Sequence, residues 1–359
     1  MSKLKQVKQS VKTGLIGFGM AGRVFHAPFV NSHNGLELIR ISTSNPEAAA
    51  LATSLYPKTV IVPDAQAIIN DPDIELVIVA TPNTSHVPLA KAAMEAGKHV
   101  ILEKPFTITS ADAEELINVS EATGRLLTVH HNRRFDGDFA TVKKLLASGM
   151  LGRVAELKIN YDRFRPELRP HAWREEDLPG SGILYDLGAH LIDQALHLFG
   201  WPRTLHAEAL IQRPGGKVDD RFEIILQYDG VRVALSSGML IRQPGPHFVI
   251  HGDKGTFVKY GMDPQENALK AGYTPQTMAD WGKDPESAWG KINTTWQGMN
   301  LQASVETETG RYQDFFKNVA EAIRGEAALQ VLPQQARDTI RIIEYCFRSV
   351  REKRTLYLE

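Results

Sequence analysis

At 359 residues the chain is longer than one ordinary hydrophobic core serves well, so two domains are expected. Its 41 basic and 42 acidic side chains cancel, which excludes the electrostatic footprint of a nucleic-acid or anionic-membrane binder and favours small, specific partners. Its lone cysteine, Cys346, rules out an intrachain disulfide and fits a reducing, cytoplasmic setting.

Residues 1–11 carry Lys3, Lys5 and Lys8 without the apolar run of a secretory signal, and read as a solvated tail. No stretch approaches the roughly 18 uninterrupted apolar residues of a membrane span. From Thr13 to His131 short apolar runs alternate with helical segments, the pattern of a parallel sheet covered on both faces. Strands are expected at Thr13–Ile16, Leu36–Thr43, Thr59–Val62, Glu75–Ala80, His99–Leu102 and Leu126–His130. Hydroxyl residues near Thr84 and Thr109 open helices that stop at Gly97 and Gly124. The fold class is an α/β Rossmann dinucleotide-binding domain over residues 1–133.

Within it, Gly17-Phe18-Gly19-Met20-Ala21-Gly22 follows the first strand and opens a helix. The first glycine permits a tight turn, the second lets backbone approach a pyrophosphate, and the third allows helix and strand to pack closely. The helix N-terminus adds amide donors and a positive dipole end. At the end of the second strand, where a carboxylate would grip an unphosphorylated ribose, stand Ser42-Thr43-Ser44-Asn45. With no acid to repel a 2′-phosphate, NADP is the preferred cofactor and NAD the alternative.

The fourth and fifth strands end in Thr81-Pro82-Asn83-Thr84-Ser85-His86 and Glu103-Lys104-Pro105, on the carboxyl edge where ligands bind in such sheets. Thr81, Pro82, Asn83, His86, Glu103, Lys104 and Asn132 join the glycine loop as cofactor-binding candidates. Lys104 can also polarise a substrate oxygen or relay its proton.

After Arg134 the rhythm changes, and an α+β domain over residues 134–359 is expected, its sheet open and mainly antiparallel. A helix over Phe139–Ala147 leads to a strand at Val154–Asn160 and an Arg- and Pro-rich loop, Tyr161–Gly182. The next helix carries Asp186, His190, Asp193 and His197 at i, i+4, i+7 and i+11, one polar stripe among Leu187, Leu191, Ile192 and Leu196. Titratable groups on a buried helix need a purpose: Lys104, Asp186 and His190 are the catalytic candidates, and Asp193 and His197 look structural. A satisfied buried network holding the domains together is the competing reading; no metal is required for chemistry with a lysine in place. Strands follow at Leu205–Gln212, Arg221–Tyr228, Val231–Gly238 and Phe248–Tyr260. Met262–Glu308, with Trp281, Trp289 and Trp296, is expected to be irregular, either a lid or an oligomer contact. Helices over Tyr312–Ile323 and Gln334–Arg351 close the chain.

Together the glycine loop, the Thr81–His86 run, Glu103-Lys104-Pro105 and Asp186-Leu187-Gly188-Ala189-His190 with Asp193 resemble the glucose–fructose oxidoreductase, inositol dehydrogenase and rhizopine-catabolism family. The resemblance implies an NAD(P)-dependent enzyme whose catalytic triad is Lys104, Asp186 and His190, and which forms a homodimer or homotetramer. His130-His131-Asn132-Arg133-Arg134-Phe135-Asp136 and Tyr161-Asp162-Arg163-Phe164-Arg165-Pro166 are similar to the NADP-dependent scyllo-inositol dehydrogenase branch, implying a polyhydroxylated substrate. Arg163, His171, Trp173 and Tyr185 are the substrate-binding candidates. A dinucleotide-sensing regulator, or a glycosidase that oxidises transiently, are the alternative functions on this fold.

Overall fold

The computed structural model describes residues 10–32, 35–169 and 172–358. Two sheets organise it. The first has six parallel strands, β1 (Val11–Ile16), β2 (Leu36–Ser42), β3 (Val60–Val62), β4 (Leu76–Val79), β5 (His99–Leu102) and β6 (Leu127–Val129), in the order β3-β2-β1-β4-β5-β6. Every residue of β4 is buried, because helices cover both faces of its sheet. Strand order reverses between β1 and β4, and in open sheets of this kind ligands bind at such a switch point, beyond the strands' carboxyl ends.

The helices α1 (Ala27–Ser32), α2 (Pro46–Leu55), α3 (Gln66–Ile69), α4 (His86–Glu95) and α5 (Ser110–Thr123) connect the strands. Local chemistry sets their ends. The Asn45 side-chain oxygen accepts from Ala48 N at 3.0 Å, with Pro46 at the first helical position. Thr109 Oγ1 accepts from Asp112 N at 3.1 Å, and Gly124 ends α5 at a left-handed φ of 64°.

The second sheet follows α6 (Gly137–Ser148) and contains β7 (Val154–Asn160), β8 (Thr204–Leu210), β9 (Arg221–Gln227), β10 (Arg232–Gly238), β11 (Phe248–Gly252) and β12 (Gly255–Lys259). With the later strands β13 (Gly290–Trp296), β14 (Met299–Val305) and β15 (Leu356–Tyr357) it runs β14-β13-β12-β11-β7-β10-β9-β8-β15. All its pairings are antiparallel except β7 with β10. Phe222, Ile224 and Leu226 of β9 are buried, while Glu223 and Gln227 between and beyond them are exposed. The helices α7 (Ala189–Phe199) and α10 (Pro333–Glu352) pack on the buried face.

Two sequence expectations are corrected. Phe248–Tyr260 is two strands, turned at Asp253-Lys254, because His251 and Thr256 pair across a hairpin. Met262–Glu308 is also more regular than expected: it holds α8 (Gln265–Lys270) and the β13–β14 hairpin, which extends the sheet. Trp281 lies in the core beside Phe29, whereas Trp296 is partly exposed on the hairpin.

Packing does not follow chain order. Phe316 of α9 (Gln313–Ile323) stacks on Phe29 of α1, ring centroids 5.2 Å apart, so the last third of the chain completes the core of the first sheet. Glu344 of α10 accepts from Ser110 N at 2.8 Å and from its hydroxyl at 2.6 Å, at the start of α5.

In the first turn of α6 burial displaces the pKa of a carboxylate. Among the described residues Asp138 Oδ2 has no hydrogen-bond donor and lies 3.7 Å from His247 Nε2, while His247 Nδ1–H donates to Asn160 O at 2.6 Å. Burial, reinforced by the nearby Asp263 carboxylate, pushes Asp138 up to about 7, and burial pushes His247 down to about 3. Against its unfolded pKa of about 3.9, Asp138 contributes stability that is fully present below pH ~4 and lost as pH rises through ~7. Asp138→Asn, which keeps a donor without a charge, is therefore expected to flatten the loss of melting temperature between pH ~4 and pH ~7, the interval between the unfolded and folded values; parallel thermal scans check this.

Candidate active site

The glycine loop closes β1 onto a helix whose first turns are distorted. Gly17 has φ +95°, and a Cβ there would meet Ala80 O at 2.7 Å. A Cβ on Gly22 would meet Gly17 O at 2.0 Å, whereas one on Gly19 would project into open space. Gly17 thus makes the turn, Gly22 the close packing, and Gly19 leaves the approach free for phosphate. Phe18 sends its ring into the core against Tyr56, Met20 is exposed, and Ala21 leads into a π-helical turn, Gly22–His26.

The rest of the cofactor set lies along the same edge. Ser42 accepts Gly17 N through its carbonyl at 3.0 Å, Thr43 Oγ1 accepts from Asn45 N at 3.3 Å, and Ser44 is exposed. Thr81 Oγ1 is buried without a partner among the described residues. Pro82 leads into the short turn Asn83–Ser85, and Asn83 Nδ2 donates to Gly180 O at 2.9 Å, tying the first sheet's edge to the loop before the helix that carries Asp186 and His190. His86 is buried, with Nδ1 3.1 Å from Pro105 O and Nε2 3.2 Å from Thr81 O, so its ring braces the Lys104 loop. Asn132 is buried at the start of the turn Asn132–Phe135. An open approach at Gly19 and an orphaned hydroxyl at Thr81 fit a dinucleotide laid along this edge.

Lys104 leaves the end of β5 and reaches across to the second domain. Its Nζ donates to Asp186 Oδ1 at 2.8 Å and to Asp186 O at 2.7 Å, and Arg174 Nε stands 3.2 Å from the same Oδ1. Burial would raise the Asp186 pKa, but Lys104 and Arg174 outweigh it and hold the carboxyl far below its usual range. Asp186 sits in a second π-helical turn, Leu184–Gly188, which opens α7. One turn on, His190 is buried, its Nδ1 unpartnered among the described residues; burial first, then the charge of Lys104, push its pKa well below the ordinary value, so it is neutral.

The polar stripe divides along its length. Asp193 accepts from Arg134 Nε at 2.8 Å and Arg134 NH2 at 2.6 Å, a buried two-pronged pair, and His197 packs beside Phe139. The structure therefore brings Lys104, Asp186 and His190 together and gives Asp193 to the scaffold.

The substrate candidates fare unequally. Arg163 donates to Tyr161 OH at 2.9 Å, lies over that ring and keeps a buried Nε without a partner among the described residues. Trp173 carries the Arg174 guanidinium 4.4 Å above its ring. Tyr185 is a correction: its hydroxyl donates to Ile108 O at 2.8 Å and its ring stacks on Phe347, which gives it to the core. His171 lies outside the described residues.

Sequence reasoning missed one cluster. Glu103, expected to touch cofactor, is buried with Oε1 accepting from His26 Nε2 at 2.6 Å and His130 Nδ1 at 2.8 Å. The available signal was a titratable His26 two residues after Val24 and just before the apolar start of α1. Among the described residues these three are a group whose donor atoms, all within 4.8 Å, have the types a metal takes; their N···O separations are those of hydrogen bonds.

The family model described as an oxidoreductase family with an NAD-binding Rossmann fold matches residues 11–131, and its C-terminal alpha/beta companion matches residues 143–358. The chain is 39% identical over 350 residues to scyllo-inositol 2-dehydrogenase (NADP(+)) IolW of Bacillus subtilis, covering 98% of this chain and 96% of that one. It is 41% identical over 353 residues to the uncharacterized oxidoreductase YdgJ of Escherichia coli, covering 98% and 100%. The solved structure of the oxidoreductase yvaA from Bacillus subtilis superposes with a TM-score of 0.93 at 38% identity, covering 99% of this chain and 100% of that chain. With both halves matched and the glycine loop and Lys104 site in place, the chain belongs to the GFO/IDH/MocA oxidoreductase family.

Proposed function

We propose that this protein interconverts a secondary alcohol and a ketone on an inositol-like ring or other polyol, with NADP preferred to NAD. The observation that carries this reading is the Lys104 ammonium held on Asp186, one helical turn from a buried neutral His190. The chemistry supplied by a bound nicotinamide is acceptance or donation of hydride. Lys104 manages the accompanying proton: its ammonium donates to a carbonyl oxygen becoming hydroxyl, and its amine accepts that proton in the reverse direction. Asp186 fixes the direction of the Lys104 side chain, and His190 offers a neutral ring nitrogen to steer the same substrate oxygen. Arg163, Arg174 and Trp173 supply donors and an aromatic surface for the remaining hydroxyls. The NADP preference rests on Ser42, Thr43 and Ser44, which place no carboxylate against a 2′-phosphate. In this proposal the protein works as a homodimer or homotetramer through the outer face of the second sheet.

The test is the absorbance of reduced nicotinamide, followed with purified protein, NADP or NAD, and a panel of inositols, sugars and polyols. Reduction of NADP by an inositol is the expected result. Tight dinucleotide binding with no turnover of any panel member would instead favour a sensor, and sugar release without net absorbance change a glycosidase.

A further inference from the structure

Behind Lys104 lies a buried group that the proposed chemistry does not use. Glu103 has two carboxylate oxygens and three donors: Oε1 takes His26 Nε2 at 2.6 Å and His130 Nδ1 at 2.8 Å, and Oε2 takes the backbone N–H of Lys104 at 3.1 Å. The three side chains come from different elements, the π turn before α1, the end of β5 and the end of β6. Their rings are clamped from outside the first domain: His26 lies 5.8 Å from Phe316, and His130 lies 4.9 Å from Phe315 and 5.5 Å from Phe316.

A buried carboxylate is costly unless its oxygens are satisfied. Burial opposes ionisation of Glu103, but the hydrogen bonds from His130 and His26 overcome it and hold the acid well below its usual range. The anion then accepts the backbone N–H of Lys104, the same residue whose amine meets Asp186. His86 braces the following residues from the other side through Pro105 O and Phe106 O, at 3.1 and 3.2 Å. A side chain as long as lysine has much rotamer entropy to lose, so a fixed backbone origin decides how often its amine occupies one position.

We propose that Glu103, with His26 and His130, is a buried positioning unit that fixes the backbone of Lys104 and thereby keeps its ammonium on Asp186. The unit touches neither substrate nor the reacting atoms, and its importance for turnover rests on the role given to Lys104 above. It also makes the aromatic pair of α9 a distant support of the site.

Glu103→Gln tests this with little change in volume, since an amide offers one acceptor oxygen where three N–H groups converge. Two measurements are made: the rate at which Lys104 is acylated by a small amine-reactive ester across pH, read by peptide mass spectrometry, and the steady-state constants. The expected result is faster Lys104 labelling with an altered pH profile, unchanged dinucleotide Kd, and kcat lowered about 10–100-fold at nearly constant KM. His130→Gln, which retains an N–H donor for Glu103, is expected to keep labelling and kcat close to wild type. A Glu103→Gln protein that only melts earlier, with wild-type Lys104 labelling and kcat, overturns the proposal; so does a stoichiometric transition metal in the purified protein that is lost with Glu103. Labelling needs no substrate, so a protein that turns over no polyol counts against the proposed function and leaves this inference to the acylation rates.

Discussion

Lys104→Ala is expected to lower turnover about 10²–10⁴-fold, the range for loss of a positioned proton donor, while dinucleotide binding measured by nicotinamide fluorescence stays within a few-fold of wild type. The separation follows from the geometry. The glycine cradle is built by backbone at Gly17, Gly19 and Gly22, whereas Lys104 places its amine on Asp186 at 2.8 Å. Lys104→Arg is the sharper control. A guanidinium preserves the charge beside Asp186 but does not release a proton near neutrality, so it is expected to stay close to the alanine variant. Turnover within a few-fold of wild type in the folded Lys104→Ala protein would remove the lysine from the mechanism.

Arg134→Ala is expected to give the largest loss of stability of any single change discussed. Asp193 is 2% exposed and takes both of its hydrogen bonds to Arg134 from Nε and NH2; removing the guanidinium strands a carboxylate inside the protein. Such a stranded partner costs about 3–5 kcal/mol. Replacing the pair together, as Arg134→Met with Asp193→Leu, is expected to recover most of that loss, because no charge then remains to be buried. Denaturant midpoints of the three proteins decide the matter, and a double variant no better than Arg134→Ala would show that packing or the Arg134 contact with Gln335 carries the stability instead.

Which parts were legible in the sequence follows from how each residue is covered. Strands buried on both faces, such as Leu76–Val79, need apolar residues at every position, and those runs stand out. The glycine loop was legible because each of its glycines answers a different steric demand. Lys104 was legible from its place at a strand end. The β13–β14 hairpin was not, because six of the seven residues of β14 are exposed and only Val305 is partly covered, leaving no alternation to read. Tyr185 misled for a related reason: nothing local reveals that a hydroxyl in a polar-looking turn is taken by Ile108 O, 77 residues away. Helical spacing was also an incomplete guide to the Asp186 stripe. The face on which Asp186 and His190 lie begins in a π turn, and only the position of Arg134 separates Asp193 from the same chemistry.

The stacking of Phe316 on Phe29 has a consequence for the order in which the protein is made. A ribosome delivers the first sheet long before Tyr312, Phe315 and Phe316, the rings that close over Phe29, His26 and His130. For most of translation the nascent Rossmann half therefore carries an uncovered aromatic face, and the brace behind Lys104 lacks its outer wall. Vectorial synthesis can lay down the parallel strands early, but a finished active site must await nearly the whole polypeptide, which makes the incomplete chain a natural client for chaperones.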